Sequence, residues 1–231
     1  MADVLTQVQA GGVVAIVRLD DLSSAVPLTA ALHRGGITAV EFTFTNRLAG
    51  KVIEDVRAKA PAGIAIGAGT VLDPETARLA ILAGAEFIVT PALNVATIEL
   101  CNRYSIPTVI GAFTPTEIIT AWQAGASVVK VFPASVGGPR YLKDVGGPFP
   151  QVKLIPTGGV SLENAGDFIR AGAVAVALGS NLVDATTVAA GDWATIVQRA
   201  QAVVAAVKAA REDQSTVGGN TPMTSASPLG R

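Results

Sequence analysis

Four stretches of this chain repeat one pattern: a segment of helical periodicity ends at a glycine, and an apolar run follows at once. They are Gly36-Ile37-Thr38-Ala39-Val40-Glu41, Gly84-Ala85-Glu86-Phe87-Ile88-Val89, Gly125-Ala126-Ser127-Val128-Val129-Lys130 and Gly172-Ala173-Val174-Ala175-Val176-Ala177. A glycine in that place predicts a helix ending in the left-handed conformation, which glycine adopts at no steric cost. Successive glycines stand roughly 40–50 residues apart, room for two βα units each, so the repeat picks out strands 2, 4, 6 and 8 of a longer series.

The full series fits that count. Apolar runs at 13–17, 39–43, 64–67, 87–90, 108–110, 128–132, 154–156 and 173–178 read as strands buried on both faces. Helical periodicity fills the intervals at 24–34, 48–60, 74–83, 95–104, 115–123, 140–145 and 162–170, with a short leading helix at 4–10. Eight strands with helical crossovers predict an α/β fold, a (β/α)8 TIM barrel with a short N-terminal helix. A doubly wound sheet is the rival; it usually needs fewer strands, and nothing here marks a reversal of strand order. With 231 residues, half of them hydrophobic, the chain suits one well-filled domain, taken as 1–211. The last helix closes at 202–211, and 212–231, rich in Ser, Thr, Gly and Pro, reads as a disordered tail.

Composition removes several classes of function. A net charge of −1, with no basic run, offers nothing to nucleic acid or an anionic membrane surface. No apolar stretch approaches the ~20 residues of a membrane span. The start, Met1-Ala2-Asp3-Val4, does not read as a signal peptide, and the single Cys101 excludes an internal disulfide or a cysteine-cluster metal site. A cytoplasmic protein fits by elimination.

The repeat also places chemistry. Five residues past each glycine stand Glu41, Val89, Lys130 and Ala177. Alternate strands of such a barrel supply one interior layer, so Glu41 and Lys130 are expected to face each other across it, with two small neighbours leaving room. A lysine buried in an apolar strand loses preference for its charged form, and its neutral amine can form a Schiff base with a carbonyl. The other reading is a lysine that snorkels out at the strand end; the apolar continuation Phe132-Pro133 favours the buried one. Glu41 is either a proton shuttle or an ion-pair partner of Lys130, and burial of the charges requires pairing on both readings.

Two glycine-bearing loops follow strands 7 and 8: Pro156-Thr157-Gly158-Gly159-Val160 and Leu178-Gly179-Ser180-Asn181. Barrels often bind phosphate with these two loops; the alternative is a pair of tight turns without a ligand. Gly67-Ala68-Gly69-Thr70 is neither a Walker loop nor a complete G-x-G-x-x-G, since Leu72 stands where the last glycine belongs. It reads as a turn delivering Thr70 into the barrel mouth. Arg18, ending strand 1, is either a bidentate carboxylate clamp or a solvated side chain. His33 lies in a helix, away from any strand end. With one His and no acids clustered at the mouth, no metal site is expected.

These residues resemble the 2-keto-3-deoxy-6-phosphogluconate (KDPG) and 4-hydroxy-2-oxoglutarate aldolase family. The resemblance rests on Val40-Glu41-Phe42-Thr43, Gly67-Ala68-Gly69-Thr70-Val71-Leu72, Thr114-Pro115-Thr116-Glu117, Lys130-Val131-Phe132-Pro133-Ala134, Gly147-Pro148-Phe149-Pro150 and Pro156-Thr157-Gly158-Gly159-Val160. It implies a metal-free, cofactor-free, homotrimeric class I aldolase that cleaves a phosphorylated 2-keto acid. KDPG would give pyruvate and glyceraldehyde 3-phosphate, and 4-hydroxy-2-oxoglutarate would give pyruvate and glyoxylate. By position, Lys130 resembles the Schiff-base lysine and Glu41 the general acid/base. Thr70, Pro91, Phe132 and Thr157 resemble the pyruvate pocket, and Gly158, Gly159, Gly179 and Ser180 the phosphate site. The chain departs from the family at Thr45, where many members carry arginine, with Arg47 close by. It departs again at Thr90-Pro91-Ala92, in place of Ser-Pro-Gly, and at Ile110-Gly111, in place of Pro-Gly. Two rivals remain open: a phosphosugar isomerase or epimerase with Glu41 as base, and a non-catalytic barrel subunit.

Overall fold

The computed structural model describes residues 4–218. After α1 (Val4–Gly11), strands and helices alternate: β1 (Val13–Val17), α2 (Ala25–Arg34), β2 (Ala39–Thr43), α3 (Ala49–Lys59), β3 (Ala65–Gly69), α4 (Pro74–Leu82), β4 (Ile88–Val89) and α5 (Val95–Arg103). The second half runs β5 (Thr108–Ala112), α6 (Pro115–Gln123), β6 (Val128–Val131), α7 (Gly138–Gly146), β7 (Leu154–Pro156), α8 (Ala165–Arg170), β8 (Val176–Leu178), α9 (Ala185–Ala189) and α10 (Trp193–Gly218). All pairings are parallel and the sheet order is β7-β6-β5-β4-β3-β2-β1-β8. A bridge between Thr157 and Ala177, with the Val174 N–H donating to the Leu154 carbonyl, joins β7 to β8. The expected (β/α)8 barrel is the observed one.

The glycine repeat does what its chemistry dictates. Gly36, Gly84, Gly125 and Gly172 have φ of +92°, +95°, +92° and +103°. Behind each, the next residue's N–H reaches back five residues: Ile37 to Leu32, Ala85 to Ala80, Ala126 to Ala121 and Ala173 to Phe168. This is the Schellman closure, which pairs the last helical carbonyls and turns the chain into the strand.

Alternation along the strands divides the apolar residues into two layers. Val14, Ile16, Ala39, Ala65, Val89, Val109, Val128, Ile155 and Ala177 fill the barrel interior, with Val8 of α1 packed against them. Their neighbours Val40, Phe42, Ile66, Ile110 and Val129 pack outward under the helices. Helix α1 is tied down by Gln7, whose Nε2 donates to the carbonyls of Thr38 (2.9 Å) and Gly63 (2.7 Å). No helix among the described residues is long and apolar enough to cross a membrane.

Two expectations need correction. Helix α9, absent from the sequence reading, is started by Asp184, whose side chain accepts from the Thr187 N–H at 2.9 Å. Helix α10 does not stop at Arg211 but continues through 212–218, where an irregular tail was expected. Its exposed residues find polar rather than apolar partners: Asp213 pairs with Arg170 at 3.3 Å, and Gln214 donates to the Ile169 carbonyl at 2.8 Å. Arg211 donates to the carbonyls of Gln9 (2.6 Å), Ala10 (2.8 Å) and Val174 (2.8 Å), binding the end of α1 to the approach to β8. The rest of the expected tail, 219–231, lies outside the described residues. We expect Arg211→Ala to lower stability by ~1–3 kcal/mol, because hydrogen bonds from a charged donor are lost and carbonyls are left to find water. Thermal unfolding checks this: a Tm equal to wild type contradicts it.

Candidate active site

Glu41 comes from β2 and Lys130 from β6, both directed into the barrel and nearly sealed from solvent, at 2% and 5% exposure. They share the layer formed with Val89 and Ala177. Among the described residues no direct ion pair joins them, so the pairing expected from the cost of burial is only a through-space field. Burial pushes the Glu41 carboxyl above its usual range, against the opposing charges of Lys130 and Arg18. Burial likewise pulls Lys130 below the usual lysine value; the Glu41 charge opposes that shift and the Arg18 charge adds to it. The Lys130 Nζ lies 5.3 Å from the centre of the Phe132 ring. Glu41 fits because β3 offers glycine beside it: a Cβ on Gly69 would fall 2.5 Å from Glu41 Oε1.

At the strand ends the side chains change from apolar to polar. Thr70, directly after β3, has φ +54°, a conformation costly for a β-branched residue, of order 1–3 kcal/mol. Its Oγ1 lies 3.5 Å from Arg18 Nη2. Arg18 is exposed, and it lines a cavity of about 240 Å3 together with Phe132, Thr157, Gly158, Gly159 and Ser180. Gly179 also lines it. Lys130, Glu41, Thr70 and Pro91 do not; the amine adjoins the cavity through Phe132. Thr157 is buried against this space and its hydroxyl has no hydrogen-bond partner. An orphaned buried hydroxyl beside an open cavity is suited to a polar ligand.

The two loops differ in why they need glycine. Gly158 and Gly159 hold φ of +83° and +80°, and a Cβ on Gly159 would fall 2.5 Å from the Ser135 Cβ. Gly179 has an ordinary φ, and its Cβ would meet only Ile16 at 3.9 Å, so there glycine serves only to leave space. Two asparagines to which the sequence assigns no role hold these loops, Asn164 from beyond the first and Asn181 from within the second. Asn164 Nδ2 donates to the Gly159 carbonyl at 2.9 Å, and Asn181 Nδ2 donates to the Val160 carbonyl at 2.8 Å. Their nearness to the glycines was the available signal, Asn181 inside its loop and Asn164 five residues past Gly159.

At the departures from the family pattern, Thr45 is exposed and its hydroxyl bonds that of buried Thr43 at 2.8 Å. Arg47 is also exposed. Arg18 is thus the guanidinium that lines the cavity. Among the described residues no group of three or more His, Cys, Asp or Glu is placed to hold a metal ion.

Fold and site together define a class: a (β/α)8 barrel with an amine and a carboxyl buried in one interior layer, beside a glycine-rimmed cavity. The chain belongs to the KDPG and KHG aldolase family, whose model matches residues 4–199, and it is an enzyme of the lyase class. A 2-dehydro-3-deoxy-phosphogluconate aldolase of Treponema pallidum is 37% identical over 190 residues, 82% of this chain and 90% of the relative. A KHG/KDPG aldolase of Escherichia coli is 34% identical over 199 residues, 86% of this chain and 93% of the relative. The solved KDPG aldolase of Legionella pneumophila, with pyruvate captured as a covalent carbinolamine, superimposes with a TM-score of 0.80 at 30% identity, covering 86% of this chain and 97% of that one.

Proposed function

We propose that this lyase is a class I aldolase that cleaves KDPG reversibly to pyruvate and glyceraldehyde 3-phosphate, with Lys130 as its nucleophile. The observation that carries the reading is an amine buried in the barrel interior, its charged form disfavoured, facing Glu41 without being neutralised by direct contact. The Nζ lone pair attacks the 2-keto carbon, and loss of water from the carbinolamine gives an iminium. That iminium draws in the electrons of the C3–C4 bond as Glu41, through a water, takes the C4 hydroxyl proton. Glyceraldehyde 3-phosphate leaves, the enamine is protonated at C3, and water releases pyruvate and restores the amine.

Arg18, Thr70 and Thr157 take the carboxylate end on this reading, with Pro91 and Phe132 as the apolar walls. The N–H groups of Gly158, Gly159 and Gly179, with the Ser180 hydroxyl, take the phosphate. A phosphorylated substrate is therefore preferred over 4-hydroxy-2-oxoglutarate, which is a secondary one. The reading also carries a cytoplasmic homotrimer working without cofactor; Leu72, Leu79 and Leu82, 61%, 62% and 65% exposed, offer an apolar face for contact between subunits.

Borohydride reduction in the presence of pyruvate, followed by peptide mass spectrometry, tests the core claim. An adduct on Lys130 is expected, and its absence at saturating pyruvate overturns the imine mechanism. The substrate assignment is tested by kcat/KM for both substrates. Arg18→Ala should harm both about equally, because both carry the pyruvate carboxylate. Ser180→Glu should harm the phosphorylated one selectively, by ~10-fold or more, through like-charge repulsion and a lost hydrogen bond. Parallel losses in Ser180→Glu contradict the phosphate assignment, and a wild type favouring the unphosphorylated substrate overturns the choice of KDPG.

A further inference from the structure

Strand β4 is two residues long, and what ends it bears on the lysine two strands away in the order. In a parallel ladder, alternate residues of one strand donate to and accept from its neighbour. Ile88 N–H donates to the Pro107 carbonyl and Thr90 N–H to the Val109 carbonyl, so the next rung would join Gly111 N–H to the Thr90 carbonyl. It does not. Gly111 N–H donates instead to the Thr90 side-chain Oγ1 at 3.0 Å, and that hydroxyl donates onward to the Ala92 carbonyl at 2.8 Å. Thr90 is 1% exposed, so neither bond is replaced cheaply by water.

This substitution frees the backbone to leave the sheet. The Pro91–Ala92 peptide crosses over β5 so closely that a Cβ on Gly111 would fall 2.2 Å from the Pro91 carbonyl carbon and 2.5 Å from the Ala92 nitrogen. Gly111 follows inward-facing Val109 by two residues, so the space its side chain would take is barrel interior. Its register partner on β6 is Lys130. The peptide held by Thr90 therefore occupies the interior position immediately beside the lysine.

We infer that Thr90 is a positioning residue: its hydroxyl, standing in for a backbone carbonyl, fixes the Pro91–Ala92 peptide as the wall that orients the Lys130 amine and its imine. The inference rests on the imine reading of Lys130. Thr90→Val keeps volume and β-branching while removing the donor and the acceptor. Slack in a wall beside the reacting atoms is expected to lower kcat, and the borohydride-trapping rate at saturating pyruvate, by ~10–100-fold. KM should change by less than about threefold, since the polar groups assigned to the carboxylate and the phosphate, Arg18, Thr70, Thr157 and the two glycine loops, are untouched. Thr90→Ser retains the hydroxyl and should trap within about threefold of wild type.

The full-length protein is used for all variants, with rates normalised to folded enzyme by circular dichroism. A Thr90→Val variant that melts lower but traps pyruvate and turns over at the wild-type rate overturns the inference, since that is what a merely structural threonine would do. So does a Thr90→Ser variant as slow as Thr90→Val. If Thr90→Val does not fold, Thr90→Ala, with room for a water between the stranded groups, is read against Thr90→Ser by the same criteria. A wild type that forms no adduct overturns the imine reading and this inference with it; a wild type that labels while Thr90→Val labels equally fast overturns only this one.

Discussion

Lys130→Ala is expected to yield no borohydride-trapped pyruvate adduct and to lose aldol cleavage by on the order of 10⁴-fold or more, because with Lys130 as the proposed covalent nucleophile its removal closes the low-barrier route altogether. The fold should survive, since the substitution removes a buried charge and leaves a modest void between Val89 and Ala177. Its consequence for Glu41 has a definite sign. The Lys130 charge holds the Glu41 carboxyl down against desolvation, so its removal raises that pKa further and favours the protonated form. Circular dichroism establishes the fold and a coupled assay for pyruvate the turnover; appreciable cleavage by folded Lys130→Ala rules out the covalent mechanism.

Glu41→Gln separates imine formation from the proton transfers that follow. The adduct should still form, while turnover falls by ~10²–10⁴-fold, the contribution of one positioned acid/base. A pH profile makes this sharper. The attacking amine must be neutral, so the trapping rate in wild type rises with pH at a midpoint below the ordinary lysine value, where burial holds Lys130. The Glu41 carboxylate raises the Lys130 pKa; removing its charge lowers that pKa further and moves the rise to lower pH. Near-normal turnover in Glu41→Gln assigns the proton transfers to another group. An unmoved trapping profile contradicts the through-space coupling of the two residues.

The parts of this molecule legible in its sequence are those governed by local backbone geometry. A left-handed residue at a helix end requires glycine wherever the chain goes next, so Gly36, Gly84, Gly125 and Gly172 carry the barrel's periodicity openly. Strand alternation is equally local, which is why counting five residues from each glycine sufficed to put Glu41 and Lys130 in one interior layer. The Gly158-Gly159 pair was visible because a glycine-bearing turn after a strand is a short-range feature.

What stayed hidden depends on partners remote in the chain. Nothing near Arg211 announces that it binds the carbonyls of Gln9 and Ala10, about two hundred residues away, and so α10 looked finished where it continues. Asn181 reaches Val160 only because barrel closure brings the loops after β7 and β8 side by side. The early end of β4 belongs to the same category: Thr90-Pro91-Ala92 reads as an ordinary strand end until Gly111 is placed beneath it. The gap between Lys130 and Glu41 is likewise a tertiary result. Periodicity says which way two side chains point, but the breadth of a closed barrel sets how far apart they stand, and here that distance leaves the amine and the carboxyl without a direct bond.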